Sequence, residues 1–321
     1  MKKIYCLLFF IFFSLSSLAG IKVGSYINDI HNLELRSHSY QVDLYIWFKW
    51  TDKELNPAES FEFMNPFELW SHTVTKSYEK PIKLPTGEYY QVIRIEGGFT
   101  HKFDLENYPF DKQYLTVEFE DSDSIEHNIE MTLDGGNYVT MNPDLKFPGF
   151  ILGAPQMEII KKVHPTNFGD IREESLKTTF SRVKLKIPIK RPVVTYIVKL
   201  ILPILCVVFS TCLIFLFKPT YVDSRVGIGI TSLLTIVALQ ITLNDELPEI
   251  DYLVLMDKIY ILTYLFIVAG LALVVIGSWM LEKGEENLEK IIKLDRKSLK
   301  ILLSTYMFGL ALLITISLMA R

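Results

Sequence analysis

The spacing of apolar residues changes once along this chain. From about residue 21 to 191 no uninterrupted apolar run is long enough to span a bilayer, and the clearest pieces alternate apolar with polar. Segments 40–48, 90–96, 115–120 and 181–187 put apolar side chains on every second position, which predicts strands with one buried face. Turn signals such as Pro85-Thr86-Gly87, Asp134-Gly135-Gly136 and Asn142-Pro143-Asp144 separate them. Roughly 170 residues of short strands without helix-period stretches predict an all-β sandwich.

After Arg191-Pro192 four apolar segments follow, at about 193–217, 225–243, 258–280 and 299–320. Each is close to the ~20 residues of a membrane-spanning helix. The first contains Lys199 and Pro203, so an imperfect helix is expected there. The link after it carries Lys218 and Arg225, and the link between the third and fourth segments carries Lys283, Lys290, Lys293, Arg296, Lys297 and Lys300. Such loops lie on the cytoplasmic side. The link 244–251 has no basic residue and belongs outside, with the sandwich and Arg321.

Residues 1–19 begin with Lys2 and Lys3, continue apolar from Ile4 to Phe13 and end in Ser17-Leu18-Ala19, which predicts a cleaved secretory signal. The alternative, a further anchor, is disfavoured by the short core and polar flank. The expected division is therefore signal 1–19, exported domain 20–191 and membrane domain 192–321. Removal of Cys6 leaves Cys206 and Cys212, both in an apolar run, so the exported part has no disulfide.

Composition agrees with a chain partly in lipid: 50% of the residues are hydrophobic and the mean hydropathy is +0.25. A net charge of −4 and a pI near 5.9 offer no basic surface for nucleic acid, and 13% aromatic residues exclude wholesale disorder. HExxH, Gly-x-Ser-x-Gly, Cys/His-cluster and phosphate-loop motifs are all missing from the sequence, which argues against an enzyme, a metal or a cofactor. The six histidines, 31, 38, 72, 101, 127 and 164, read as scattered surface residues that could also let protons modulate the protein.

The second apolar segment is the most informative. It holds Gly227, Gly229, Thr231, Ser232, Thr235, Gln240, Thr242 and Asn244, more small and polar residues than a lipid-facing helix needs. At about 100° per residue with Gly227 at zero, Thr231, Leu234, Ala238, Ile241 and Asp245 all fall within about 40°, as does Asp223 if the helix extends that far. Arg225 points away, near 160°. Carboxylates at both ends and apolar rings between them suit a pore with charge rings and a dewetting gate. Close helix packing through small residues is the alternative. One such helix cannot enclose water, so a pore requires several copies around an axis.

Arg225-Val226-Gly227-Ile228-Gly229-Ile230-Thr231-Ser232-Leu233-Leu234-Thr235 resembles the pore helix of pentameric ligand-gated ion channels, the Cys-loop receptor family. Phe103 to Gln113, with Tyr108-Pro109-Phe110-Asp111 at its centre, resembles that family's signature loop. His101 and Leu115 stand where animal receptors have two cysteines, as expected of the prokaryotic branch. Arg191-Pro192, Pro203 and Trp50-Thr51-Asp52 also match.

The resemblance implies a homopentamer around a central pore. Each subunit would give an extracellular β-sandwich of immunoglobulin-like topology and a four-helix transmembrane bundle in the cell (inner) membrane. A small-molecule agonist would bind between neighbouring sandwiches, and monovalent cations would permeate. Candidate ligand residues are Tyr45, Glu120, Phe168 and Phe180, although ordinary strand packing also accounts for Tyr45 and Phe168. Asp121-Ser122-Asp123 departs from the pattern where the family offers an aromatic.

Candidate pore-lining residues are Asp223, Ser224, Gly227, Thr231, Leu234, Ala238, Ile241 and Asp245, with Asp223 also a candidate helix cap. Arg225-Val226-Gly227 looks like the anion-conducting branch, but Asp223-Ser224 replaces the Pro-Ala found there, which favours cations. Candidate coupling residues between the layers are Tyr108, Pro109, Phe110, Asp111, Arg191, Leu247 and Pro248.

Overall fold

A computed structural model of the chain describes residues 20–122, 129–136, 138–169 and 177–319. The candidate signal 1–19, Asp123, His127 and Arg321 lie outside the described residues. Thirteen strands are described: β1 (Gly20–Glu34), β2 (Ser39–Trp50), β3 (Phe61–Phe63), β4 (Pro66–Phe67), β5 (Thr73–Lys76), β6 (Ile82–Lys83), β7 (Tyr89–Thr100), β8 (Lys112–Asp121), β9 (Glu130–Leu133), β10 (Val139–Met141), β11 (Ile151–Leu152), β12 (Gln156–His164) and β13 (Thr178–Lys190).

One sheet runs β10-β1-β2-β7-β4, with β5 and β6 also on β7 and β9 on β1; the other runs β11-β13-β8-β3, with β12 on β13. The alternation explains how they meet. Val23, Leu44, Ile46 and Phe48 of the first sheet and Leu115, Val117, Val183 and Leu185 of the second are buried in one core. Phe48 reaches Phe119 across the sheets at 6.3 Å, and Phe63 reaches Phe99 at 5.1 Å. Tyr40 fastens the layers, because its hydroxyl accepts the Thr116 N–H at 2.7 Å and donates to the Thr116 carbonyl. Gly24 is required by this packing, since a Cβ there would sit 2.2 Å from the Trp47 ring.

Four helices long and apolar enough to cross a membrane follow: α1 (Val193–Phe215), α2 (Val222–Glu246), α3 (Leu255–Glu282) and α4 (Leu288–Met319). Helix α1 widens into a π turn over Ile197–Ile201. Pro203 has no N–H to donate and its ring crowds the carbonyl four residues back, so the turn before it cannot stay α-helical. Helix α2 runs past the 225–243 of the hydropathy pattern at both ends and takes in Asp223 and Asp245. Helix α4 starts at Leu288, not near 299, so the link between the third and fourth segments shrinks to a few residues around Lys283–Asn287. Its basic residues mimic a loop, yet Ile291, Asp295, Tyr306 and Leu310 are buried at helical spacing and carry the helix through them.

Candidate functional site

Helix α2 has one buried stripe, made by Arg225, Gly229, Ser232, Ile236 and Leu243. On the wheel these lie between about 140° and 200° from Gly227, opposite the candidate pore face. Asp223, Ser224, Gly227, Thr231, Leu234, Ala238, Ile241 and Asp245 are all exposed in the single chain, Leu234 at 65% and Ile241 at 57%. The two glycines therefore differ in role. A Cβ on Gly229 would sit 2.3 Å from Leu271 of α3, so Gly229 serves close helix packing, whereas Gly227 has nothing within 4 Å. Gln240 falls near 220° on the same wheel, beside the buried stripe, and accepts a hydrogen bond there from the Tyr264 hydroxyl of α3 at 2.6 Å. Asp223 lies in the first turn of α2 but makes no cap, because the capping position is Tyr221 and no side-chain cap bond forms.

The ligand candidates fall into two groups. Glu120, Phe168 and Phe180 come together with Glu62, Met64, Asp121, Ser122 and His164 around a cavity of about 370 Å³ on the outer part of the β8–β13 sheet. His164, Phe168 and Phe180 form an aromatic triangle with centroids 5.3–6.2 Å apart. Phe168 has a φ of 53° and is 61% exposed, so its ring is presented outward. Glu120 is not a free carboxylate: Arg182 Nε donates to it at 2.6 Å, and the His164 Nε2 lies 3.3 Å away. The neighbouring Glu118 accepts from Lys184 at 2.7 Å and from Arg182 at 3.1 Å. Burial pushes the Glu118 carboxyl up, but these cations outweigh it and hold it below the usual range.

Tyr45 is in the other sheet, away from this cavity. Its ring stands 6.2 Å from Tyr26 and carries the Arg94 guanidinium at 5.8 Å, which is held in turn by Asp43 at 2.9 and 3.0 Å. Tyr45 is not among the residues that line the cavity around Phe168 and Phe180. His164, which the sequence presents as one of six scattered surface histidines, lines the same cavity. The β12–β13 pairing, which sets His164 opposite Thr178 and Lys162 opposite Phe180, delivers it.

At the junction of the layers, Tyr108, Pro109, Phe110, Asp111 and Arg191 are buried together. Arg191 Nε donates to Asp111 Oδ1 at 3.3 Å, and its guanidinium stands 4.9, 4.8 and 5.3 Å from the rings of Tyr108, Phe150 and Tyr196. Gln113 Nε2 steadies Asp111 at 2.7 Å. Contact with the outer link differs from expectation. The Leu105 N–H donates to the Tyr252 hydroxyl at 3.0 Å and the Leu255 N–H to the Glu106 carbonyl at 2.9 Å. Leu247 and Pro248 are buried instead beside a cavity of about 460 Å³ shared with Arg36, Asn244 and Tyr252. Backbone bonds carry no side-chain signature, which is why Leu105, Glu106 and Leu255 were not marked by sequence.

No family model matches the chain. It is 24% identical over 274 residues to a protein of Caenorhabditis elegans, covering 77% of this chain and 47% of the relative. It is likewise 24% identical over 201 residues to a protein of Lymnaea stagnalis, covering 62% and 38%. Both are gamma-aminobutyric acid receptor beta subunits. These relatives are receptor subunits and not enzymes, and the chain spans less than half of their length. A β-rich N-terminal region followed by four apolar helices fits that relationship. Among the described residues no group of three His, Cys, Asp or Glu side chains could hold a metal ion.

Proposed function

We propose that the chain is a subunit of a ligand-gated ion channel, a homopentamer in a cell membrane with the sandwich outside. The observation that carries this reading is α2. It has a helix-long exposed face with carboxylates at both ends and apolar side chains between, and an arginine turned to the opposite, buried face. A face of that composition suits neither lipid nor a packed bundle, while five copies around an axis would line water. The likeness to two receptor subunits supports it independently. Absence of the cysteine pair at His101 and Leu115 favours the prokaryotic type.

The agonist would lie between neighbours, with Phe168, Phe180 and His164 of one subunit facing Tyr45 of the next. Aromatic faces and the exposed carboxylate of Glu62 fit a small organic cation. Purified protein in planar bilayers, screened with small amines, tests this: current evoked by an amine and abolished in Phe180→Ala supports it, and silence to every amine in a correctly assembled pentamer overturns it.

Charge selectivity has two readings. Side-chain placement favours cations, because Asp223 and Asp245 are exposed while Arg225 is buried. Relationship favours anions and is the better fit by descent, through the likeness to gamma-aminobutyric acid receptor beta subunits and the tripeptide Arg225-Val226-Gly227.

A further inference from the structure

The inner end of α2 is held by a charge pair on the side away from its exposed face. The Arg225 side chain is 1% exposed; its Nε donates to the Ile214 carbonyl at 2.6 Å and a terminal nitrogen donates to Asp295 Oδ2 at 2.8 Å. Ile214 belongs to the last, tightened turn of α1, where carbonyls have no intrahelical partner. Asp295 belongs to the buried seam of α4 together with Ile291, Tyr306 and Leu310. Lys290, Lys293, Arg296, Lys297 and Lys300 around it are exposed, so Asp295 is the one acid in that basic stretch and the one charge that turns inward. A single guanidinium thus ties three helices at one level.

Packing alone does not call for this arrangement, since apolar residues of similar volume fill such a site as well or better. Once a charge is placed there, however, the pair fixes direction. Asp223 precedes Arg225 by two residues and projects about 160° away from it around the helix. With the guanidinium seated against α1 and α4, the carboxylate must face outward, and a rotation that freed Arg225 would carry Asp223 away. We propose that Asp295 is a positioning residue for the inner mouth: it keeps a positive charge out of the conduction path and Asp223 in it, and so sets charge selectivity from a place that ions never touch. This inference rests on the channel reading.

The test compares wild type, Asp295→Asn, and the paired apolar variant Arg225→Leu with Asp295→Leu. Reversal potentials are read in a steep potassium chloride gradient. The same backgrounds carrying Asp223→Cys and Cys206→Ser are labelled with a charged thiol reagent from the inner side. In Asp295→Asn the arginine is buried without a counter-charge and leaves its seat, so permeability shifts several-fold toward chloride and labelling at position 223 slows. The paired variant returns both to wild-type values. An Asp295→Asn pentamer with unchanged reversal potential and labelling overturns the proposal. If Asp295→Asn does not assemble, assembly regained in the paired variant supports the proposal, and assembly still lost overturns it. Should the wild type carry no current, the channel reading fails on its own; slower labelling in Asp295→Asn then upholds the positioning role, and an unchanged rate overturns it.

Discussion

Asp111 and Arg191, eighty residues apart, meet at 3.3 Å with both side chains 4% exposed, beneath three aromatic rings. They join the turn before β8 to the residue that leads into α1, so the sandwich and the helices share one buried ion pair. Leaving one member of such a pair unpartnered typically costs ~3–5 kcal/mol. Arg191→Ala is therefore expected to abolish assembly or gating. Arg191→Lys should rescue poorly, because an ammonium neither stacks on Tyr108 and Phe150 nor keeps a fork of donors. Surface labelling and agonist-evoked current check this; normal currents with only a shifted binding constant would count against it.

The apolar stack Leu234, Ala238 and Ile241 is the hypothesised gate, because these side chains are exposed on the face that also holds Thr231 and Gly227. A hydrophobic constriction closes by dewetting, and a hydroxyl at its narrowest ring lets water return. Leu234→Ser is expected to raise the resting current and lower the agonist concentration needed for opening. Leu234 is outside the buried stripe of α2, so the variant leaves the packing of that stripe on the other helices intact. Unchanged leak and unchanged agonist response would place the gate elsewhere.

Phe168 offers a cleaner ligand test than Glu120. It is 61% exposed, whereas Glu120 is buried and bonded to Arg182, so only the former can be truncated without disturbing the sheet. One cation–π contact is worth ~0.5–2 kcal/mol, so Phe168→Ala should raise the agonist concentration for half-maximal response by roughly two- to thirtyfold. Dose–response curves with Phe168→Tyr as the conservative control decide it. An unchanged curve would mean the ring packs on Phe180 and His164 and meets no ligand.

Two histidines flank Phe103 at the head of the signature loop. His38 Nδ1 accepts the Phe103 N–H at 3.2 Å, and His101 packs edge-on to the same ring at 5.5 Å. Burial lowers both imidazoles from their ordinary value, helped by Lys102 beside His38 and by Lys184 beside His101. The unfolded chain therefore binds more protons in the window that opens near the ordinary imidazole value of about 6.5 and extends below it. Stability is full above that value and falls as pH drops through the depressed folded values. Thermal melting against pH should show this loss, and His101→Gln should flatten it. A mutant with the wild-type acid slope would remove His101 from the account.

How far the sequence reveals this molecule depends on the range of the interaction. Strands β2, β7, β8 and β13 follow from alternation, a property of neighbouring residues, and the exposed face of α2 follows from a 3.6-residue period. The beginning of α4 was hidden because Lys290 to Lys300 resemble a loop until the buried seam through Ile291 and Asp295 is seen. His164 gives no local signal, since only its strand pairing brings it to Phe180 and Glu120. The separation of Tyr45 from that cavity is likewise a property of sheet order, which alternation does not encode.

Selectivity is where side-chain placement and relationship part, and the inner mouth decides between them. Asp223 and Asp245 are exposed at the two ends of α2, within about 40° of the same line, so in a pentamer each would form a fivefold ring. Carboxylate rings raise the local cation concentration, most at low salt, because mobile ions screen them beyond ~10 Å at 0.1 M. Arg225 cannot oppose them from its seat against Ile214 and Asp295. Wild type is therefore expected to reverse near the cation potential, and Asp223→Asn to lose most of that preference. Asp245→Asn should mainly lower conductance at low salt. Reversal potentials in a salt gradient supply the measurement. A wild-type reversal near the chloride potential would overturn the placement argument in favour of the anion reading, and so would selectivity that survives Asp223→Asn but collapses in Arg225→Gln.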